Sequence, residues 1–252
     1  MIKLFVLDID GCISHPFETP DWESISEIRK LNQLSKSQSE IPSLTLCTGR
    51  PLPYAEAVAQ WLDIKLPFVF ESAALYSWSK NSVKTILDKE PKNGRSLAPI
   101  IEFKQWLNDE ILPEYPELIL EFSKMMDAGV VSPNKDQINR VYDRIMDQIQ
   151  QNYPDLEAHR TEISVNTLLS GNNKGTGFQL ISEEVEIPFD QMAYIGDSEG
   201  DIPALKKARV AYAPSNAIDR VKKVARELPF ETSKAILHAY EEIIKMNKNG
   251  EI

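Results

Sequence analysis

Two aspartates, Asp8 and Asp10, follow an apolar run near the start of the chain, in the stretch I-K-L-F-V-L-D-I-D-G-C. Such a run is typical of a buried parallel β-strand, and residues two apart in extended chain project to the same side. Two carboxylates about 4 Å apart repel by roughly 4 kcal/mol at an effective dielectric constant of about 20. A cation, a shared proton or a basic side chain must offset that repulsion. An ordinary D-G turn explains the same letters equally well, so the rest of the chain must decide.

Two later apolar strands also end in residues that could do chemistry. The predicted strand at 41–47 runs into T-G-R at 48–50, and the predicted strand at 192–195 runs into G-D-S-E-G-D at 196–201. Lys174 stands in N-K-G, where a predicted helix begins. Ligands of doubly wound sheets bind outside the carboxyl ends of the strands. We therefore expect one converging set, which is Asp8, Asp10, Thr48, Lys174, Asp197 and Asp201.

Strands and helices alternate at both ends of the chain, and the pattern changes between them. A β-α-β-α-β order up to Ala74 predicts a parallel sheet with crossover helices, and the same order resumes at Lys174. The intervening stretch, beginning with strand-like V-K-T-I-L, shows paired short strands and two amphipathic helices. We predict an α/β fold with a Rossmann-like doubly wound parallel sheet core at 1–80 and 171–252. An α+β cap domain is expected as an insertion at 81–170.

The composition excludes several classes of protein. The chain has 252 residues, of which 42% are hydrophobic and 26% charged, and its net charge is −10. These values are typical of a soluble globular protein and argue against nucleic-acid or anionic-membrane partners. Neither a membrane span nor a signal peptide is evident, and two cysteines imply no disulfide framework. A cytoplasmic location is expected, the oligomeric state is not predictable, and the tail at 247–252 is expected to be frayed.

Four carboxylates with a lysine and a threonine hydroxyl suit a hard divalent cation such as Mg²⁺. The same cation would bring a phosphoryl group beside a carboxylate nucleophile. In their order and spacing, D-I-D-G, T-G-R, N-K-G and G-D-S-E-G-D resemble the four motifs of the haloacid dehalogenase-like hydrolase superfamily. The insert resembles the α+β cap of its sugar-phosphatase branch. That branch includes Cof-like phosphatases, sucrose-phosphatase and mannosyl-3-phosphoglycerate phosphatase.

The resemblance implies a role for each matching residue. Asp8 would attack phosphorus and form an aspartyl-phosphate, and Asp10 would protonate the leaving oxygen and later deprotonate the attacking water. The implied phosphate-binding residues are Thr48, Gly49 and Lys174. The implied Mg²⁺ site comprises Asp8, the backbone carbonyl of Asp10, Asp197 and Asp201. The candidate substrate contacts are Arg50, which could instead pair with an acid on the surface, and Ser198.

The chain departs from the pattern of these phosphatases at a few positions. Cys12 stands where the family usually has threonine or serine, and E-S-A-A at 71–74 replaces the frequent E-N-G-A. Ser198 and Gly200 stand where many relatives carry asparagine. We interpret Cys12 and Cys47 as small buried residues rather than a redox pair. These departures bear on the choice of substrate more than on the chemistry.

The leading functional prediction is a Mg²⁺-dependent phosphatase that hydrolyses the phosphomonoester of a small metabolite. A sugar phosphate and a phosphoglycerate- or phosphoglycolate-like acid are the expected substrate classes. One alternative is a phosphotransferase or phosphomutase of the same superfamily. The alternative from another class is a catalytically silent protein that binds sugar phosphates. The joint presence of Asp8, Asp10, Lys174 and Asp197 favours a catalyst.

Overall fold

The computed structural model describes residues 1–16, 18–85, 97–161 and 163–251. The chain divides into two compact units, Met1–Thr85 with Asn173–Ile252 and Ile86–Asn172. Each unit has its own cluster of buried apolar side chains. Each therefore has the separate hydrophobic core that a domain requires.

The elements follow one another in this order. The first part of the first unit contains β1 (Leu4–Leu7), α1 (Trp22–Leu34), β2 (Ser43–Leu46), α2 (Leu52–Trp61), β3 (Phe68–Phe70), β4 (Ala74–Ser77) and β5 (Ser82–Thr85). The second unit contains α3 (Ala98–Trp106), β6 (Ile119–Leu120), β7 (Val130–Val131), α4 (Lys135–Asn152), β8 (Leu156–Arg160) and β9 (Ser164–Leu169). The first unit resumes with α5 (Lys174–Val185), β10 (Met192–Ile195), α6 (Ile202–Leu205), β11 (Val210–Ala213), α7 (Asp219–Lys222), β12 (Arg226–Glu227) and α8 (Thr232–Asn249).

A five-stranded parallel sheet forms the centre of the first unit, in the order β12-β11-β10-β1-β2. All four residues of β1 are buried, as expected for a central strand covered on both faces. Leu7, the last residue of β1, is in register with Ile195 of β10 and Leu46 of β2. The segments that follow these three strands therefore leave the sheet at one edge. The predicted α/β fold class is confirmed.

A hairpin of β4 and β5 continues from β3 in a three-stranded antiparallel sheet. Two lysines of this hairpin, Lys80 and Lys84, bind the Glu184 carboxylate of α5 at 2.6 and 2.5 Å. The hairpin is thereby attached to the first unit. The predicted strand V-K-T-I-L begins here, but its last two residues, Ile86 and Leu87, lie outside the described residues.

The second unit is an antiparallel sheet with amphipathic helices. The sheet order is β6-β7-β9-β8, and α4 buries Ile138, Val141 and Ile145 at helical spacing. The predicted strand at 162–168 corresponds to β9, although its first residue, Glu162, lies outside the described residues. These elements match the α+β pattern expected for this stretch of the sequence.

The C-terminal helix corrects the expectation of a frayed tail. α8 extends to Asn249 and ends at Gly250, whose φ of 66° is the left-handed conformation that closes many helices. The Asn247 amide donates to the carbonyls of Ile2 and Glu40 at 2.8 and 2.9 Å and accepts from the Ile2 N–H at 2.8 Å. These polar contacts hold the end of the chain without the apolar pattern that sequence reasoning looks for. Ile252 lies outside the described residues.

Over the described part of the chain, no helix combines the length and the apolar character that a membrane span requires.

Gly177 of α5 packs closely against β3 and the loop that follows it. A methyl group at this position would lie 2.3 Å from the Ser72 carbonyl oxygen and 2.7 Å from Val69 Cγ1. We expect Gly177→Ala to lower the free energy of unfolding by about 1–3 kcal/mol, the typical cost of overpacking, as measured in thermal or urea unfolding. Gly200→Ala is the matched control, because the nearest atom to its added methyl is 3.8 Å away. Equal losses in the two variants would contradict the assigned close contact.

Candidate active site

A buried lysine connects the ends of two neighbouring strands. Asp8 directly follows β1 and is 2% exposed, and its N–H donates to the Ile195 carbonyl of β10 at 3.2 Å. Lys174, the first residue of α5, places its Nζ 2.8 Å from Asp8 Oδ1 and 2.7 Å from Asp201 Oδ1. Lys174 and Asp201 are themselves buried. The three charges form one desolvated cluster at the carboxyl edge of the sheet.

Asp201 is surrounded by hydrogen-bond donors of the protein. Its Oδ1 accepts from Lys174 Nζ at 2.7 Å and from the Tyr194 hydroxyl at 2.9 Å. Its Oδ2 accepts from the Ser198 N–H at 3.0 Å and the Ser198 hydroxyl at 2.8 Å. A carboxylate offers about four lone-pair sites, and these four donors occupy them. Asp201 therefore holds Lys174 and the loop after β10 in place.

Helix capping sets the position of Lys174. The Asn173 side chain accepts hydrogen bonds from the N–H groups of Gly175 and Thr176 at 2.9 and 3.2 Å, which starts α5 at Lys174. Burial alone would lower the pKa of Lys174, but the carboxylates of Asp201 and Asp8 outweigh burial and raise the pKa well above its usual value. The side chain is therefore a fixed ammonium ion.

The carboxylates of the cluster are more numerous than the ammonium can neutralise. Burial, followed by the charge of Asp201, raises the pKa of Asp8 well above its usual value, although Lys174 opposes this shift. Burial and the charge of Asp201 likewise raise the pKa of Asp197 to about 7. These are the shifts expected of acids that lack a further cation. The repulsion that acts on Asp8 comes mainly from Asp201, and Asp10, its partner in the D-I-D pattern, contributes less.

Three potential ligand atoms converge beside this cluster. One carboxylate oxygen each from Asp8 and Asp197 and the Cys12 sulfur all lie within 4.8 Å of one another. Gly11 permits this approach: its φ is +72°, and a methyl group on it would lie 2.0 Å from Asp197 Oδ2. Paired carboxylates with a shortage of positive charge fit a divalent cation. The sequence analysis did not assign Cys12 to this set.

Arg50 lies over the other aspartate of the first motif. Its Nε and one terminal nitrogen donate to the two carboxylate oxygens of Asp10, each at 2.7 Å, in a bidentate pair. Both side chains are about one-third exposed, at 31% for Arg50 and 36% for Asp10. The guanidinium also lies 4.9 Å from the centre of the Tyr54 ring. The sequence left open whether Arg50 contacts substrate or pairs with an acid. The structure shows an ion pair, and its acidic partner, Asp10, belongs to the candidate site.

Thr48 and Gly49 follow β2 at the same sheet edge. Thr48 is fully buried, donates its N–H to the Val69 carbonyl at 3.1 Å and accepts the Arg50 N–H on its hydroxyl at 3.1 Å. A methyl group on Gly49 would lie 3.6 Å from the Ser72 hydroxyl. The T-G-R segment therefore packs against the loop after β3, and the described contacts connect it to Asp10 through Arg50.

Two supporting residues were not found by sequence reasoning. The Tyr194 hydroxyl donates to Asp201 from within the apolar strand β10, and Asn216 Nδ2 donates to the Gly11 carbonyl at 2.9 Å. A tyrosine in a fully buried strand is a usable signal, because its hydroxyl needs a polar partner. Asn216 lies in the loop P-S-N-A and had no comparable signal.

A family model described as haloacid dehalogenase-like hydrolase matches residues 103–238, which is more than half of the 252 residues. The chain belongs to this family. The superfamily resemblance and the prediction of a phosphatase enzyme are thereby confirmed.

Individual relatives agree with this membership. A phosphoglycolate phosphatase of Methanococcoides burtonii is 26% identical over 229 residues, which cover 90% of each chain. A solved Thermoplasma acidophilum protein has a TM-score of 0.75 at 16% identity and covers 96% of this chain and 98% of its own. The sucrose-phosphatase of Synechocystis, solved with sucrose and phosphate, has a TM-score of 0.69 at 15% identity, covering 96% of this chain and 98% of that chain. The two solved structures show that the fold is shared.

The acidic cluster predicts how the stability of this hydrolase depends on pH and metal. Between about pH 4 and about pH 7 the folded metal-free protein binds more protons than the unfolded chain, because the pKa of Asp197 is raised from 3.8 to about 7. Its free energy of unfolding should therefore fall as pH rises through this window, by up to about 1.4 kcal/mol per pH unit for each such carboxyl. Adding Mg²⁺ at about pH 7 should raise the Tm in thermal unfolding.

The variant Asp197→Asn tests the origin of the pH dependence of stability and of the Tm increase caused by Mg²⁺. It should flatten the pH dependence and remove most of the Tm increment caused by Mg²⁺. Asp63→Asn is the matched control, since Asp63 pairs with Lys36 and Lys65 at 3.1 Å, away from the cluster. A wild-type Tm at neutral pH that does not respond to Mg²⁺ would contradict the assignment of a divalent-cation site to Asp8 and Asp197.

Proposed function

We propose that this hydrolase removes the phosphoryl group of a small phosphorylated metabolite with the help of Mg²⁺, by way of a covalent phosphoryl group on Asp8. The contact that carries the proposal is the pair between Lys174 Nζ and Asp8 Oδ1 at 2.8 Å. It places a fixed cation beside a buried carboxylate at the sheet edge where this fold class binds ligands. A carboxylate attacks a charged phosphate poorly until cations neutralise that charge.

Asp8 and Asp10 divide the chemistry. A carboxylate oxygen of Asp8 forms a bond to phosphorus while the bond from phosphorus to the leaving oxygen breaks, and Asp10 gives that oxygen a proton. Water then attacks phosphorus, Asp10 takes a proton from the water, and the bond to Asp8 breaks with release of inorganic phosphate. One group acts first as acid and then as base, so the cycle restores both aspartates.

The phosphoryl oxygens need a positively charged and hydrogen-bonding environment. We assign Lys174, Thr48 and Gly49 to this role, because T-G-R and Lys174 both lie at the carboxyl edge of the sheet. Asp8, Asp197 and the backbone carbonyl of Asp10 would hold Mg²⁺, which when bound neutralises charge on the phosphoryl group and on its nucleophile. Asp201 keeps Lys174 and Ser198 in position, because its oxygens are already bound by protein donors.

The pair of Arg50 and Asp10 suggests how the acid is released for catalysis. In the structure both carboxylate oxygens of Asp10 are held by the Arg50 guanidinium. An anionic group of the substrate, such as a carboxylate, can replace Asp10 on the same bidentate fork. Substrate binding would then free Asp10 to carry a proton.

We further propose that the second unit is the cap domain of the family, corresponding to the predicted insertion at 81–170. The similarity to the phosphoglycolate phosphatase of Methanococcoides burtonii favours a small phosphorylated carboxylic acid such as phosphoglycolate. The Synechocystis sucrose-phosphatase supports a sugar phosphate as the second candidate. The proposed exchange of carboxylates on Arg50 favours the first.

A release assay for inorganic phosphate, with and without Mg²⁺, tests the function. Phosphoglycolate should have the highest kcat/KM in a panel that includes sugar phosphates, and activity should require the metal. Asp8→Asn should lower kcat by at least about a thousandfold, because it removes the nucleophile while keeping the shape of the side chain.

Asp63→Asn, the surface aspartate variant, serves as the control and should keep full activity. Full phosphatase activity in the Asp8→Asn protein would contradict the assignment of Asp8 as the nucleophile. A phosphomutase would instead need a bisphosphate activator and release little inorganic phosphate. Binding of sugar phosphates with no turnover on any substrate would point to the silent binding protein.

The Arg50 hypothesis makes a separate prediction about specificity. Arg50→Gln should lower kcat/KM for phosphoglycolate by about 10- to 100-fold, the value of a lost hydrogen bond to a charged group. The loss for a sugar phosphate without a carboxylate should be smaller. Because the ion pair is partly exposed, the free energy of unfolding should fall by less than about 1 kcal/mol. Arg29→Gln on the exposed face of α1 is the control. Equal losses for both substrates would refute a carboxylate-binding role.

A further inference from the structure

Cys12 is a buried residue whose thiol lies beside a cluster of carboxylates. It is fully buried, and its sulfur lies within 4.8 Å of a carboxylate oxygen from Asp8 and another from Asp197. Its N–H donates to the Ile9 carbonyl, whereas its thiol makes no hydrogen bond with the described residues. Among the residues that the structure describes, no hydrogen-bond partner explains why this buried sulfur faces two carboxylates.

The second cysteine provides a comparison within the same fold. Cys47 is equally buried and also close to the site, but its thiol donates to the Lys174 carbonyl at 3.6 Å. It therefore has a structural partner at the start of α5. Among the described residues, Cys12 is the cysteine that belongs to a group able to hold a metal ion, together with Asp8 and Asp197.

The spacing of the three atoms suits direct coordination. In a tetrahedral site, a sulfur at about 2.3 Å and an oxygen at about 2.1 Å from one ion lie about 3.6 Å apart. The three atoms lie within 4.8 Å of one another, so side-chain rotations that close at most about 1.2 Å would bring them to one ion. Gly11, which lies between Asp10 and Cys12 with φ +72°, sets the loop conformation that directs Cys12 toward Asp197.

The donor set combines one soft ligand with two hard ones. Mg²⁺ binds oxygen and makes no use of a sulfur, whereas Zn²⁺, Cd²⁺ and Co²⁺ accept thiolate together with carboxylate. A serine or threonine hydroxyl at this position would offer oxygen alone. A cysteine at this position would therefore let the site bind soft cations through sulfur.

We propose that Cys12 is a third side-chain ligand of the metal site, which thereby accepts thiophilic divalent cations such as Zn²⁺, Cd²⁺ and Co²⁺ through sulfur. On coordination the S–H bond breaks, a bond from sulfur to the metal forms, and the proton passes to solvent. The inference rests on the proposed function only for the location of the Mg²⁺ site. It predicts that soft cations compete with Mg²⁺ for the same two carboxylates.

Absorption spectroscopy of the metal-free full-length protein with Co²⁺ tests the bond directly. The wild-type complex should show a sulfur-to-cobalt charge-transfer band in the near ultraviolet, and Cys12→Ser should abolish that band. Calorimetry should show that Cys12→Ser lowers the affinity for Zn²⁺ at least about tenfold, the smallest loss typical of even an outer-shell change. Its affinity for Mg²⁺ should stay within roughly threefold, because Mg²⁺ prefers oxygen ligands.

Two further variants complete the design. Cys47→Ser should keep the charge-transfer band, and Asp197→Asn should weaken the binding of both Co²⁺ and Mg²⁺. If thermal unfolding shows that Cys12→Ser is not folded, Cys12→Thr takes its place, and the wild-type spectrum remains decisive. Co²⁺ binding without a sulfur band, or a band that persists without Cys12, would overturn the inference.

The outcome is separable from that of the phosphatase assay. A Cys12-dependent band in a protein that releases no phosphate from any substrate would support the metal ligand and reject the proposed function. Mg²⁺-dependent phosphate release by a protein whose Co²⁺ complex lacks the band would reject the ligand and support the function.

Discussion

One ammonium ion between two carboxylates holds the site together. Lys174 Nζ contacts Asp8 and Asp201 at 2.8 and 2.7 Å in a buried environment. Removing three charges from water is costly, and the attraction offsets that cost only when the remaining hydrogen-bonding capacity is satisfied. Tyr194 and Ser198 satisfy it at Asp201. Losing one partner of such a buried pair typically costs about 3–5 kcal/mol, so the strands, the helix start and the loop depend on one another.

The cluster carries more negative charge than positive charge. Asp8, Asp197 and Asp201 carry three formal negative charges when ionised, and Lys174 supplies one positive charge. Burial, followed by the neighbouring charge of Asp201, raises the pKa values of Asp8 and Asp197. Without a cation these two carboxyl groups therefore tend to hold protons, whereas a nucleophile and a metal ligand must be ionised. A divalent cation would remove the excess charge. The fold thus creates an excess of negative charge in a cluster that includes the proposed nucleophile.

The positions of the acidic motifs could be predicted from the sequence, because the periodicity of the strands determines them. Parallel strands end at a common edge, so Asp8 after β1 and Asp197 after β10 come together once those two strands are neighbours. Cys12 is different: its approach to Asp197 depends on the left-handed turn at Gly11, which no periodic pattern encodes. Tyr194 is part of an apolar strand, and the polar partners of its buried hydroxyl, Asp201 and the Cys47 carbonyl, become evident only in the structure.

The first unit is built from two separate stretches of the chain, Met1–Thr85 and Asn173–Ile252. β1 lies between β2, which follows it closely, and β10, which is synthesised more than a hundred residues later. During synthesis on the ribosome, Asp8 therefore emerges before Lys174, and the whole intervening unit is made between them. That unit is one continuous stretch, so it can fold first, as domains generally do during synthesis. The contact between the Asn247 amide and Ile2 can form only after residue 247 has been synthesised. The site around Asp8 can therefore be completed only after α5 and β10 have been synthesised.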